Sequence, residues 1–168
     1  LAIKGLFVNS QVKKIFIPKT EHPSVLAAAL SLKDPLAIEY LDVDSQGLVD
    51  FEIAPSRLGA GLNFVSVMMA NNETGVIQPI AKLSEYFKGI HSAIILHTDA
   101  VQALGKIPVD IATLNVDMIS LSSHKIYGPK GVGALYLRNG TPDLFSLVCG
   151  GGQEKKRRGG TENVAGIV

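Results

Sequence analysis

Short, continuously apolar runs alternate along this chain with longer amphipathic stretches, and few folds accommodate that alternation. Asn63 to Ala70 (Asn-Phe-Val-Ser-Val-Met-Met-Ala) is apolar at nearly every position, which predicts a strand covered on both faces. Lys14 to Ile17, Ala37 to Val43, Ala93 to Leu96, Met118 to Leu121 and Val132 to Leu137 read as further strands, with Asp42 to Gly47 as a turn. Between them, Pro23 to Leu32 predicts a helix with proline at its first position, where a missing N–H costs nothing. Pro79 to Ile90 predicts an amphipathic helix with Ile80, Leu83 and Phe87 on one face. Ile111 to Leu114 reads as a short helix, and Phe51 to Leu58 as helical despite Pro55. Strand and helix in alternation predict an α/β fold, a mostly parallel sheet with helices on both faces.

Composition narrows the class. The chain has 168 residues, about one domain, and a net charge of +1. No long basic run marks a nucleic-acid surface, and Lys155, Lys156, Arg157 and Arg158, beside glycines, read as a solvated loop. A single cysteine, Cys149, excludes an internal disulfide framework and fits a reducing compartment. No apolar run is long enough to span a bilayer as a helix. The start at Leu1 without Met and the stop in the apolar run Val164 to Val168 predict a piece of a longer protein.

In open parallel sheets, ligands bind beyond the carboxyl ends of the strands. Three predicted strands end there in polar clusters: Asn71-Asn72-Glu73-Thr74-Gly75, His97-Thr98-Asp99-Ala100-Val101-Gln102 and Ser122-Ser123-His124-Lys125. The fold would bring all three to one rim. A lysine on a buried rim loses its charge readily and becomes a nucleophile. A carboxylate nearby can hold a protonated ring nitrogen, and pyridoxal phosphate (PLP) chemistry needs that pair. Each element has a plainer reading. Asp99 and Gln102 have the spacing of a helix capping box. Lys125 before Gly128-Pro129 fits a turn lysine, and Asn71-Asn72 fits a turn after a strand. His97, bordering an apolar strand, reads as a satisfied core histidine, and His91 as a surface residue. The residues alone support an active-site rim and little more.

The string Ser122-Ser123-His124-Lys125-Ile126-Tyr127-Gly128-Pro129-Lys130-Gly131 resembles the PLP-lysine segment of cysteine desulfurases, in the class V aminotransferase group. His97 to Gln102 resembles their pyridinium-acid segment, and Met69 to Gly75 their asparagine segment. Thr20-Glu21-His22 resembles the segment with a ring-stacking histidine. Gly150-Gly151-Gly152-Gln153-Glu154, with Arg158, Gly160, Thr161, Glu162 and Asn163, resembles the glycine-rich segment that follows. Five motifs stand in the family's order over nearly the whole chain.

The resemblance implies that Lys125 carries PLP as a Schiff base and that Asp99 bonds the pyridine nitrogen. Gln102 and Asn72 would lie by the ring hydroxyl. His22 would stack on the ring and carry protons, with Lys125 or His22 as the base at the substrate Cα. Ser122 and His124 would bind the phosphate, and Thr161 would reach the phosphate of the neighbouring subunit in a homodimer. No metal is implied. Residues 1–168 would be part of a PLP-binding large domain, lacking an N-terminal segment and a small C-terminal domain. The implied activity converts L-cysteine to L-alanine and passes sulfur, through a persulfide on a cysteine outside this chain, to an acceptor such as an iron–sulfur scaffold protein. Cys149, closing the apolar run Phe145-Ser146-Leu147-Val148, is expected to be buried and inert. The implied compartment is the cytoplasm, or the mitochondrial matrix in a eukaryote, with no nucleic-acid or membrane partner. Alternatives are a selenocysteine lyase, another class V aminotransferase, and a non-catalytic fragment or paralogue that only binds a partner.

Overall fold

The computed structural model describes residues 1–9, 12–32, 38–53 and 55–168. One six-stranded sheet organises them, in the order β2-β1-β3-β4-β5-β6. The strands are β1 (Val12–Pro18), β2 (Ile38–Leu41), β3 (Leu62–Ser66), β4 (Ile94–Asp99), β5 (Met118–Ser122) and β6 (Gly133–Leu137). Strands β1 to β5 run parallel, and β6 closes the edge antiparallel to β5. The mostly parallel α/β sheet expected from the alternation is therefore present.

Side chains alternate across the strands and fill two cores. On one face Phe16, Val65, Leu96 and Ile119 pack with Ile80, Leu83 and Phe87 of α3 (Ile80–Ile90) and with Leu114 of α4 (Ile111–Leu114). On the other, Ile15, Ile17, Phe64, Ile95 and Met118 pack with Ile3 and Leu6 of α1 (Ala2–Asn9) and with Val25 and Ala29 of α2 (Pro23–Leu30). Each large side chain fully buried in this way contributes on the order of 1.5–3 kcal/mol. Two short elements follow near the end, α5 (Gln153–Lys156) and α6 (Val164–Ile167).

Several boundaries differ from the sequence reading. Helix α2 ends at Leu30, and β3 ends at Ser66, although Val67 and Met69 still donate backbone bonds to His97 and Asp99. Strand β4 runs on through His97-Thr98-Asp99, because these residues pair with Met118, Ile119 and Ser120. The helix expected over Phe51 to Leu58 is absent among the described residues: only Pro55–Arg57 forms a single 3-10 turn. Pro55 lacks an N–H and disfavours helix before it, and the Ile53 carbonyl accepts from Tyr86 Oη at 2.6 Å instead. Ala37, the predicted start of β2, lies outside the described residues, as does Ala54.

Candidate active site

Strand polarity places the ends of β1, β3, β4 and β5 on one edge, and strand parity decides what faces the α1/α2 side there. Phe64, Ser66 and Met68 follow one another on that side, as do Ile95, His97 and Asp99, and Met118, Ser120 and Ser122. Ser66, His97 and Ser120 form a polar layer beneath the edge. His97 Nδ1 bonds Ser66 Oγ and its Nε2 bonds Ser120 Oγ, each at 2.8 Å, and its ring stacks on Phe64. The histidine is 2 % exposed, and burial pushes its pKa down to about 3. It is the satisfied core histidine that its place on an apolar strand predicts.

One step above, Met68, Asp99 and Ser122 line a cleft of about 310 Å³ together with His22, Asn72, Gln102, His124 and Lys125. Seven of the eight residues expected at the site thus share one cavity. The eighth, Thr161, is exposed and does not line it.

Asp99 is 8 % exposed, and burial raises its pKa, opposed by the Val101 N–H that its Oδ1 accepts at 2.9 Å and by the nearby His22. That short turn contact is what remains of the capping-box reading, because Gln102 Oε1 accepts from Lys106 Nζ at 2.7 Å and caps nothing. The two asparagines divide their work. Asn71 Oδ1 accepts from the N–H groups of Glu73 and Thr74, which builds the turn, while Asn72 faces the cleft. Gly75, at φ +75°, supplies the backbone shape that closes this turn.

His22 is the N-cap of α2 and also lines the cleft. Its Nδ1 accepts from Ser24 N–H at 3.2 Å and lies 2.7 Å from Ser24 Oγ. A backbone N–H can only donate, so Nδ1 carries the lone pair and the ring proton sits on Nε2, as assigned from this network.

Lys125 ends a 3-10 turn, Ser123–Lys125, and is exposed, not buried as a rim lysine was expected to be. The antiparallel β6 covers no more than the strand, so the turn projects past the sheet. Gly128 closes the turn by donating to the Ser123 carbonyl at 2.9 Å, and a Cβ there would stand 2.9 Å from Ser123 Cβ and 3.0 Å from that carbonyl. Ser122 Oγ and His124 Nδ1 lie 2.8 Å apart at the mouth of the cleft.

Cys149 corrects a second expectation. It is exposed, as are its neighbours Phe145 and Val148, because this apolar run forms no strand and reaches no core. Glu21 was missed altogether: it is 4 % exposed, directly beside His22, and nothing in a polar Thr-Glu-His string signals burial. Among the described residues no helix is long and apolar enough to cross a membrane.

The donor set fits PLP: one buried carboxylate, one exposed amine, amides beside them, and a hydroxyl–imidazole pair at the rim. The sequence profile described as Aminotransferase class-V matches residues 2–168. A cysteine desulfurase IscS of Dictyoglomus turgidum is 47 % identical over all of this chain and 43 % of its own length. A cysteine desulfurase of Sinorhizobium fredii is 44 % identical over 99 % of this chain and 43 % of its own. Among solved structures, a NifS-like protein superposes with a TM-score of 0.88 at 38 % identity, covering 99 % of this chain and 46 % of the other. A NifS-like protein from Rickettsia africae gives 0.86 at 35 % identity, over 98 % and 45 % of the two chains. The chain therefore spans less than half the length of the relatives it matches.

Proposed function

From the premise that the chain belongs to the aminotransferase class V family, we propose that the whole protein is a PLP-dependent cysteine desulfurase. The observation that carries the reading is the convergence of Lys125, Asp99, Asn72, Gln102 and His22 on one cleft at the carboxyl edge of the sheet. Residues 1–168 then form part of the large cofactor domain. L-cysteine gives L-alanine, and its sulfur joins a cysteine thiol outside this chain as a persulfide, which hands it on to an acceptor such as an iron–sulfur scaffold protein.

When bound, PLP supplies an electron sink for charge that develops at the substrate Cα. Lys125 Nζ would hold the cofactor covalently, and its amine would be the group that takes the proton from the substrate Cα. Asp99 binds the ring nitrogen as its counter-charge, and Gln102 and Asn72 orient the ring hydroxyl. Ser122 Oγ and His124 donate to the phosphate, with Thr161 serving the second subunit of a homodimer. His22 covers the ring face. Its Nδ1 is engaged by Ser24, so it offers Nε2–H to the cleft, and taking up a proton requires release of the helix cap. That arrangement favours Lys125 over His22 as the base. The cytoplasm, or the mitochondrial matrix in a eukaryote, suits a chain with one exposed thiol.

The test is turnover by the full-length protein. With L-cysteine and a reductant, alanine and sulfide are expected in equal amounts. Turnover of selenocysteine alone would make the protein a lyase for that substrate, and absence of alanine from either would refute the reading.

A further inference from the structure

Glu21 sits where a charged side chain has little business. It is 4 % exposed; its Oε1 accepts from Met68 N–H, while its Oε2 is buried with no hydrogen-bond partner among the described residues. Beside this contact, the Thr20 carbonyl accepts from Asn71 Nδ2 at 2.8 Å. The two bonds tie the turn that carries His22 to the segment that leaves β3 and carries Met68 and Asn72. Both segments wall the cleft.

We propose that Glu21 is a positioning residue that pins the His22 turn against the Met68–Asn72 wall and so fixes the place of the His22 ring over the cleft. The pin itself stands on the contacts above; its consequence for PLP rests on the proposed function. An ionised Glu21 would leave a buried, unpaired oxygen, which is costly, so the acid is held neutral. Burial pushes its pKa up to about 8, opposed by the Met68 N–H and reinforced by the negative charge of Asp99 on β4. His22, in the same turn, acts on Asp99 in the opposite sense. A neutral acid accepts from Met68 N–H through one oxygen, as a glutamine would. It also adds no second negative charge beside Asp99, which the cofactor ring nitrogen would need as its own counter-charge.

The experiment compares full-length wild type with Glu21→Gln, Glu21→Asp and Glu21→Ala. Without added PLP, hydrogen exchange at the Met68 amide reads the pin directly. Exchange in E21Q is expected within about twofold of wild type, and in E21A about five- to tenfold faster, the worth of one hydrogen bond. With PLP, affinity and the visible circular dichroism of the bound ring read the place of His22. E21Q is expected to keep both, while E21A weakens binding by about five- to tenfold and diminishes the dichroism. E21D, one methylene too short to reach Met68, is expected to resemble E21A, and it carries the test if E21A does not fold. Unchanged Met68 exchange in E21A and E21D would overturn the pin. An E21Q as impaired as E21A would also overturn it, because a charge would then be what matters. A wild type that binds no PLP would sink the proposed function and leave the exchange result to decide the pin.

Discussion

Two buried groups, His97 and Glu21, titrate in opposite directions and should hide each other. Burial lowers the His97 pKa from 6.5 to about 3 and raises that of Glu21 from 4.5 to about 8. A histidine with a depressed folded pKa makes the fold less stable as pH falls below its unfolded value of 6.5. An acid with a raised folded pKa makes the fold less stable as pH rises from 4.5 toward 8. Each slope is about 1.4 kcal/mol per pH unit. Between pH 4.5 and 6.5 the folded chain holds one proton on Glu21 and the unfolded chain one on His97, so the two slopes cancel. Above pH 6.5 Glu21 alone of the pair acts, and its share of the stability should fall by about 2 kcal/mol, a ~30-fold change in the folded ratio, by pH 8. His97→Leu removes one member. It orphans Ser66 and Ser120 at a cost of about 1–3 kcal/mol each at every pH, but the shape of the curve is the readout. Urea unfolding of cofactor-free protein from pH 4.5 to 8 should give a plateau below 6.5 in wild type. H97L should instead grow steadily more stable toward low pH, and E21Q steadily less. A plateau that persists in H97L would refute the account of His97 as a neutral, desolvated core residue.

Three further outcomes follow from the cleft. Gly128→Ala places a methyl against Ser123 and should cost about 1–3 kcal/mol in urea unfolding, with weaker PLP absorbance because the displaced turn carries Lys125. Asp99→Ala should lower PLP affinity about 10- to 100-fold in absorbance titrations, the worth of a charge-assisted bond, with far-UV circular dichroism unchanged. Cys149→Ser in the full-length protein should keep desulfuration of cysteine, whereas loss of persulfide with PLP binding intact would make Cys149 the sulfur carrier; since the thiol is exposed, it should react with a thiol reagent in folded wild type.

The sheet was legible because each central strand is covered on both faces, so Phe64-Val65 and Ile94-Ile95-Leu96 stand out as apolar runs whichever way they point. Polar residues misled where the fold satisfies them internally. His97-Thr98-Asp99 reads as a loop, yet it is strand, with Thr98 Oγ1 donating to the Val67 carbonyl at 2.8 Å. The α1 helix escaped notice because eight residues, Ala2–Asn9, carry no acidic first turn or basic last turn. Pro55 did break the helix that the apolar spacing of Phe51 to Leu58 favours. At the site, residue types and order pointed to the right edge, but exposure did not follow from them. Lys125 projects on a turn, Cys149 lies on a run that reaches no core, and Glu21 is buried by two segments that sequence spacing cannot bring together.

Everything proposed for the cleft depends on which lysine holds the cofactor. Full-length protein loaded with PLP, reduced with borohydride and digested, should carry the pyridoxyl mass on the peptide containing Lys125 and on no other. Lys125→Ala should show neither the label nor the yellow absorbance of wild type. A label on Lys130 in the same motif or on any other lysine, or a yellow K125A protein, would contradict the assignment.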